Sequence, residues 1–166
     1  MNNQQNNKPF RKGAAIIVID KENNFLLIQK NGYKDNEWSF PGGGREEGEI
    51  LEQNMYRELK EEINTYTTDL EIVGISTHKI EYDYPAELAL KVNDGKFRGQ
   101  SYDQVVVRFI GSKDQLIFTP KEFRGHKWVS ANELITYLVF PNQYQNNKKA
   151  IDEVLPGLMK EVELYI

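Results

Sequence analysis

The sequence predicts a single α/β domain in which a mixed β-sheet lies between helices. Apolar runs of strand length recur along the chain, as in residues 13–19 (GAAIIVI) and 104–110 (QVVVRFI). Residues 49–63 contain neither Gly nor Pro and are rich in good helix formers, which predicts one helix of about four turns. A chain of 166 residues is long enough for one compact domain with its own core.

The first half of the sheet is predicted from apolar and alternating runs. Residues 13–19 form a buried strand, residues 20–24 a turn, and residues 25–29 (FLLIQ) the second strand of a hairpin. The alternation over residues 70–81 predicts one long strand, and residues 87–92 are expected to pair with it.

The second half is predicted as a loop over residues 94–103 followed by the strand over residues 104–110. Three further elements close the domain: a short strand at 127–129, a helix at 131–138 capped by Ser130, and a final amphipathic helix that begins near Lys148 and is kinked or split at Pro156 and Gly157.

The composition excludes several classes of protein. Without cysteine, neither a disulfide nor a cysteine-based zinc site can form. Residues 1–8 are expected to be a disordered polar tail without the apolar segment of a signal peptide, and residues 9–166 to be the folded domain. No run is long enough to span a membrane, so we expect a cytoplasmic protein. The net charge of −4 argues against strong sequence-independent binding of nucleic acid.

The helix over residues 49–63 concentrates carboxylates on one face. At about 100° per residue, Glu58, Glu61 and Glu62 fall within about 100° of arc. Because like charges at this spacing destabilise a bare helix, the carboxylates either face water or bind a cation. Their hard oxygens suit Mg²⁺ or Mn²⁺. The buried stripe of the same helix is predicted at residues spaced four apart: Leu51, Met55, Leu59 and Ile63.

Two neighbouring features favour a bound cation over a plain solvated face. Residues 42–44 are three consecutive glycines, which let the main chain approach a ligand closely. Arg57 stands inside the acidic run, where it can pair with Glu49 or Glu61 and leave the other carboxylates free for metal.

The pattern of Gly43, five residues, Glu49, seven residues and the run RELKEE at residues 57–62 resembles the Nudix box of the MutT-type pyrophosphohydrolases. The family's box continues with x-Gly-apolar, whereas this chain has Asn64 and Thr65 at the last two positions. Asn is suited to a left-handed helix C-cap, and Thr is a weaker substitute for the apolar residue. The resemblance implies the Nudix fold, an α/β/α sandwich with a mixed sheet between helices, and the predicted element order fits it.

The resemblance also implies roles for the residues of the box. Glu58, Glu61 and Glu62 would be the main ligands of divalent metal, Mg²⁺ or Mn²⁺, with more than one ion bound. Glu49 and Arg57 would form a supporting ion pair.

Positions around the box are implicated in the same way. Glu122 would be a further metal ligand or a base near the attacking water, and Gly43 and Gly44 would offer main-chain contacts to metal or phosphate. Tyr82 would stack on a base. Three more positions lie where related enzymes contact phosphate or base: Arg11, Lys30 and Phe140.

The resemblance beyond the box is to a subgroup that contains the bacterial RNA pyrophosphohydrolases and the asymmetric dinucleoside tetraphosphate hydrolases. It is carried by WSFPGGG, MYRELKEE and a Tyr-x-x-Pro at residues 82–85. The implied activity is hydrolysis of nucleoside-diphosphate-linked substrates by water, with Glu58, Glu62 or Glu122 as base. The leading expectation is a dinucleoside polyphosphate such as diadenosine tetraphosphate. The alternatives are the 5′ end of RNA, a nucleoside triphosphate or ADP-ribose.

One departure from the subgroup bears on the substrate. After Gly99 and Gln100, where the subgroup commonly has a basic, aromatic run, this chain reads Ser-Tyr-Asp-Gln. The missing cations favour small nucleotides over RNA, although Lys96 and Arg98 lie just upstream. Two non-enzymatic alternatives remain open: a silent Nudix domain that senses a nucleotide, and a structural protein whose acidic helix only faces water.

Overall fold

The computed structural model describes residues 3–159, which contain a seven-stranded sheet. The strands are β1 (Phe10–Ile19), β2 (Phe25–Lys30), β3 (Gly42–Gly44), β4 (Leu70–Ile75), β5 (Ile80–Asp83), β6 (Gly99–Phe109) and β7 (Phe123–Val129). The α-helices are α1 (Asn3–Asn6), α2 (Leu51–Ile63), α3 (Ala86–Lys91), α4 (Leu134–Tyr137) and α5 (Gln143–Val154). Short 3₁₀ turns lie at Thr67–Asp69, Val92–Gly95, Lys113–Gln115 and Ala131–Glu133.

The sheet is mixed because β1 runs parallel to β6 and antiparallel to β2. Its main order is β4-β6-β1-β2-β7, with β3 paired to β1 and β5 paired to β6. Successive side chains of β1 point to opposite faces, so Ile16 and Val18 pack with α2 whereas Ile17 and Ile19 pack with α5. Helices cover both faces of the sheet, which confirms the predicted α/β/α sandwich.

The predicted hairpin is confirmed by the antiparallel pair of β1 and β2. Its turn is closed by Asp20, whose carboxylate accepts the N–H groups of Glu22 and Asn24 at 2.9 and 2.8 Å. Strand β1 begins at Phe10, earlier than the apolar run, because polar residues at its start pair with the start of β6.

Residues 70–81 are not the single strand that we predicted. The chain leaves the sheet after β4 and returns as β5, and both strands pair with β6. Between them, the Ser76 hydroxyl donates to Glu153 at 2.8 Å and accepts the His78 N–H at 2.9 Å. These local side-chain hydrogen bonds replace the strand ladder.

Residues 87–92 were predicted as a hairpin partner and instead belong to α3 and the turn after it. Pro85 precedes this helix with φ −53°, which suits a helix start, and AELALK consists of good helix formers. Local propensity decides the conformation here.

The predicted loop over residues 94–103 is also wrong in its second half, since β6 begins at Gly99. The first residues of β6 pair with β5 on one side and with β1 on the other. Polar residues therefore occupy a central strand, and an apolar pattern does not reveal them.

The C-terminal elements are present with shifted bounds. Strand β7 begins at Phe123, and the helix predicted at 131–138 is a 3₁₀ turn followed by α4. Ser130 begins this element, with both its N–H and its hydroxyl donating to Glu133 at 3.0 and 2.9 Å. Helix α5 begins at Gln143 instead of Lys148 and ends before Pro156, so it is neither kinked nor split.

The start of the chain differs from the predicted disordered tail. Residues 3–6 form α1, and the buried Gln5 donates from Nε2 to the carbonyls of Tyr84 and Arg98 at 2.8 and 3.2 Å. Residues 1–2 of the tail and 160–166 of the domain lie outside the described residues. Within residues 3–159, no helix is long and apolar enough to cross a membrane.

Candidate active site

Helix α2 positions most of the candidate residues. Its predicted buried stripe packs against the sheet: Met55, Leu59 and Ile63 without exposed surface, and Leu51 partly buried. The helix ends at Asn64, which adopts the left-handed conformation expected of it (φ 60°, ψ 43°). Thr65 is buried and fills the apolar position, although its hydroxyl has no hydrogen-bond partner among residues 3–159.

Glu58 and Glu62 line a cleft of about 450 Å³, which we call the main cleft. Its other walls come from the glycines of β3, the first residues of β1 and β6, and the segment after β2. The main cleft brings together seven residues predicted for the site: Arg11, Lys30, Gly43, Gly44, Glu58, Glu62 and Glu122.

The two carboxyl groups from α2 perturb each other. Burial, followed by the charge of Glu58, raises the pKa of Glu62 to about 8. Burial also raises the pKa of Glu58, against the lowering effect of the neighbouring Arg57. Because two buried carboxylates repel each other, the pair favours a bound proton or a bound metal cation.

These oxygens fit a divalent cation, but the complete predicted ligand set is not assembled. Glu122 is near enough for its charge to raise the pKa of Glu62 further. In contrast, Glu61 is 59% exposed and turned to Arg57, outside the main cleft. Across residues 3–159, no three acidic or histidine side chains converge closely enough to form a metal site by themselves. Main-chain oxygens, substrate or water would have to complete the coordination shell.

Arg57 connects α2 to the three glycines of β3, Gly42–Gly44, which we call the glycine turn. Its guanidinium binds the Glu49 carboxylate through two hydrogen bonds of 2.7 and 2.9 Å, and donates to the Gly44 carbonyl at 2.8 Å. It also donates to Glu58 at 3.0 Å and to Glu61 at 3.3 Å. Both pairs foreseen for this arginine are therefore present, and the same side chain orients a carboxylate of the main cleft.

Asn54 also connects α2 to the glycine turn. No sequence pattern predicted this role. It is fully buried, and its Nδ2 donates to the carbonyls of Gly43 and Gly44, at 3.3 Å each. Because Arg57 also donates to the Gly44 carbonyl, that oxygen already accepts two hydrogen bonds. The Gly43 carbonyl accepts the hydrogen bond from Asn54, and Gly43 also pairs with Ala14 of β1, so strand pairing and α2 together fix this segment.

The glycines are required by close approach. A Cβ on Gly43 would collide with the Glu58 carboxylate, and a Cβ on Gly44 with the guanidinium of Arg11. The Gly42 N–H donates to Glu62 at 3.2 Å. The turn therefore orients both carboxyl groups and lets Arg11 lie against the main chain.

The main cleft pairs these acids with cations and polar groups. Arg11 and Lys30 enter from β1 and β2, and the charge of Lys30 lowers the pKa of Glu62. Tyr102 lines the same wall, where burial raises the pKa of its hydroxyl to about 12, so it is a neutral hydrogen-bond donor at physiological pH. A site with cations next to paired acids is suited to a phosphate chain with bound metal.

Two predicted substrate contacts lie outside the residues that line the main cleft. Tyr82 is half-exposed and donates from its hydroxyl to Gln100, which does line it, at 2.7 Å. Phe140 packs edge-on against Tyr33, with ring centroids 5.1 Å apart, and Tyr33 in turn has the Lys30 ammonium 6.0 Å from its ring centroid. Both aromatic residues border the site through one intermediate side chain.

Four further residues of the main cleft are not assigned to the site by the sequence patterns: Asn31, Gly32, Gln100 and Tyr102. The last two fall in the region where the sequence predicts a loop. Their pairing in β6 beside β1, with Gln100 opposite Arg11, is what brings them to the site.

The chain matches a family model described as NUDIX domain over residues 9–154. Two relatives named RNA pyrophosphohydrolase are similar over nearly their whole length. The protein from Pelagibacter ubique is 31% identical over 160 residues, which cover 93% of this chain and 99% of that protein. The protein from Zymomonas mobilis is 32% identical over 135 residues, which cover 80% of this chain and 87% of that protein.

Solved structures share the fold at lower identity. The E. coli dihydroneopterin triphosphate pyrophosphohydrolase has a TM-score of 0.65 at 20% identity, covering 89% of this chain and 98% of that one. A C. elegans Ap4A hydrolase has a TM-score of 0.61 at 20% identity, covering 82% and 93%. At this identity the likeness establishes the fold alone.

Proposed function

Because the chain belongs to the Nudix family, we propose that it is a divalent-metal-dependent pyrophosphohydrolase that acts on the triphosphorylated 5′ end of RNA. One observation carries the proposal: the buried carboxyl pair of Glu58 and Glu62 lies in the same cleft as Arg11 and Lys30. The acids suit metal, and the cations suit the phosphate oxygens that the metal leaves unneutralised.

The choice of RNA is supported by relatives. The proteins named RNA pyrophosphohydrolase align with this chain along most of both lengths. The negative net charge is compatible with this choice if the enzyme recognises a short 5′ segment instead of a long phosphate backbone.

Residues of this chain have distinct tasks in the proposed reaction. Glu58 and Glu62 would hold the metal together with the Gly43 carbonyl, with Glu122 as a further ligand or as the base. Members of this family generally use divalent metal ions, and we expect Mg²⁺ or Mn²⁺, more than one per site. Bound there, such ions neutralise phosphate oxygens and lower the pKa of a water.

The proposed hydrolysis needs no reactant other than the RNA and water. The water oxygen forms a bond to phosphorus, the anhydride P–O bond breaks, and pyrophosphate leaves from a monophosphorylated RNA. The proton of the water passes to a carboxylate, Glu58, Glu62 or Glu122. Arg11 and Lys30 would hold the phosphate chain, with Tyr102 as a neutral donor.

A dinucleoside polyphosphate, the leading expectation from the sequence, is the second candidate. It is favoured by the polar start of β6, where the basic run of the compared subgroup is absent. Of the two upstream cations considered as substitutes, Arg98 is bound to Asp83 at 2.6 and 3.2 Å, and only Lys96 makes no ion pair among the described residues. Phe140 and Tyr82 would stack on the bases of either substrate. A cytoplasmic location remains our prediction.

The experiment is a substrate panel with Mg²⁺ and with Mn²⁺, with products resolved by chromatography. It contains a 5′-triphosphate RNA, diadenosine tetraphosphate, ATP and ADP-ribose. We expect pyrophosphate and monophosphorylated RNA, with the highest kcat/KM for RNA. A higher kcat/KM for the dinucleotide would replace the first candidate by the second, and inactivity on every substrate would favour a nucleotide sensor.

Two variants connect the activity to the site. Glu58→Gln and Glu62→Gln are each expected to lower kcat by at least about 1,000-fold while the protein stays folded. Glu52→Gln, an exposed position on the same helix, is the matched control and should keep wild-type activity. Near-wild-type rates in both cleft variants would exclude the proposed site.

A further inference from the structure

A second cleft of about 590 Å³ adjoins the main cleft and shares Arg11 with it. Its walls come from the start of β1, the residues after β3, and the turn between α3 and β6. Its volume is within the range of pockets that hold small organic ligands. A molecule that extends from the main cleft past Arg11 enters this second cleft.

The second cleft is rich in cations. Arg11, Lys12 and Lys96 line it and make no ion pair with any residue in the described part of the chain. A fourth cation, Arg45, is bound to Asp103 at 3.4 Å. An unpaired ammonium or guanidinium group at a cleft wall is suited to a phosphate oxygen.

Acidic side chains limit how much negative charge the second cleft can take. Glu46, Glu47 and Asp94 line it as well, and the Glu46 carboxylate lies 3.7 Å from Arg57. Because positive and negative side chains are mixed along its walls, the second cleft is suited to one or two phosphate groups and not to a long polyanion.

Two half-buried aromatic rings complete the second cleft. Phe10 is stacked with the Arg98 guanidinium, 4.6 Å from its ring centroid. Phe97 makes no ring contact with any other residue among 3–159, so its ring is the one available for stacking. Cations beside an aromatic ring are the combination with which proteins bind single-stranded nucleic acid.

We propose that the second cleft binds the nucleotides that follow the 5′-terminal nucleotide of an RNA substrate. Lys12 and Lys96 contact their phosphates, and Phe97 stacks on a base. This inference rests on the proposed RNA 5′-pyrophosphohydrolase activity and adds to it a dependence on chain length. The triphosphate and the first nucleotide occupy the main cleft, and the chain continues past Arg11.

The test compares substrates of one, two, three, four and eight nucleotides, each with a 5′-triphosphate. For the wild type, kcat/KM should rise about 10-fold or more between one nucleotide and the length that reaches the second cleft, and then stay constant. For the double variant Lys12→Ala/Lys96→Ala, this rise should disappear, mainly through a higher KM, while the one-nucleotide substrate is cleaved at the wild-type rate. Phe97→Leu should reduce the rise without changing the salt dependence.

Salt dependence provides an independent readout. If Lys12 and Lys96 each contact a phosphate, the slope of log KM against log salt for the eight-nucleotide RNA should decrease by about 0.7 for each lysine replaced by alanine. Lys149→Ala, an exposed position on α5 away from both clefts, is the matched control and should change neither the slope nor the rates.

The outcomes separate this inference from the proposed function. A wild-type enzyme that cleaves triphosphorylated RNA equally at every length, or a double variant that keeps the full length dependence, would overturn the second-cleft assignment alone. An equal loss on diadenosine tetraphosphate would also overturn it, since the cleft would then serve a second nucleoside. A wild-type enzyme that cleaves no RNA of any length would overturn the proposed function itself.

Discussion

The guanidinium of Arg57 binds the carboxylate of Glu49 in a bidentate arrangement, with hydrogen bonds of 2.7 and 2.9 Å. The pKa of Arg57 is raised and the pKa of Glu49 is lowered, mainly because the two side chains are hydrogen-bonded to each other. The same guanidinium reaches the Gly44 carbonyl and Glu58, at 2.8 and 3.0 Å. One planar side chain thus fixes the turn and a cleft carboxylate in a single geometry.

Arg57→Lys should therefore impair catalysis although it preserves charge. A lysine ammonium cannot form a bidentate pair with Glu49 and also donate to the Gly44 carbonyl. Because a hydrogen bond to a charged group is worth about 1.5–3 kcal/mol, we expect kcat/KM to fall at least about 10-fold. Arg124→Lys is the control, since Arg124 pairs with the exposed Asp35 at the surface. Equal rates for the two variants would contradict a positioning role for Arg57.

The carboxyl pair should make the metal-free protein sensitive to pH. Burial and Glu58 raise the pKa of Glu62 in the folded state to about 8 from an ordinary 4.5. Its contribution to folding is complete below about pH 4.5 and is lost as the pH rises towards 8. In the presence of a chelator, Glu62→Gln should be more stable than wild type at pH 8, by about 1–3 kcal/mol in the free energy of unfolding, and not at pH 4.5.

Denaturant unfolding at both pH values measures this difference, with Glu52→Gln as the control. Adding Mg²⁺ or Mn²⁺ should stabilise the wild type at pH 8 and stabilise Glu62→Gln much less. An identical pH profile for Glu62→Gln and wild type would show that Glu62 titrates normally in the fold.

Asn54→Ala should raise the metal concentration needed for activity. The variant removes the Asn54 hydrogen bonds to the Gly43 and Gly44 carbonyls, so α2 no longer holds the Gly43 oxygen in place. We expect half-maximal activity to require about 3- to 10-fold more Mg²⁺, an effect of roughly 1 kcal/mol. Asn54→Asp, which has no amide donor, should not restore the wild-type requirement.

Leu59→Ala is the control for Asn54. It removes a fully buried side chain of the same helix and should cost about 2–5 kcal/mol of stability without changing the metal requirement. If Asn54→Ala only lowers stability in the same way, Asn54 has a structural role alone.

Tyr82→Ala should weaken substrate binding more than turnover. The Tyr82 ring is half-exposed beside Gln100 of the main cleft and is available to stack on a base. Stacking is worth about 1–3 kcal/mol, so KM should rise about 5- to 100-fold with kcat little changed. Tyr82→Phe keeps the ring and should have a KM close to that of wild type. A loss confined to kcat, or an unchanged KM in Tyr82→Ala, would exclude stacking.

Local patterns predicted those parts of the protein in which neighbouring residues decide the conformation. The spacing of Leu59 and Ile63 predicted a buried stripe, and Asn64 adopts the left-handed C-cap that its residue type favours. The apolar runs in β1 and β2 predicted a hairpin for the same reason. The predictions failed at α3, where residues expected to form a hairpin partner are good helix formers, and at the start of β6, where the strand is polar.

Periodicity and a motif contiguous in the chain were sufficient to predict the family, the sandwich and the helix that carries the acidic residues. Which carboxylates share a cleft depends on tertiary contacts: Glu58 and Glu62 face it, whereas Glu61 turns to Arg57. Tertiary contacts also determined that Asn54 holds the glycine turn and that Arg11 separates two clefts. These relationships join residues distant in the chain through strand pairing and side-chain packing, so the spacing of residues along one segment does not encode them.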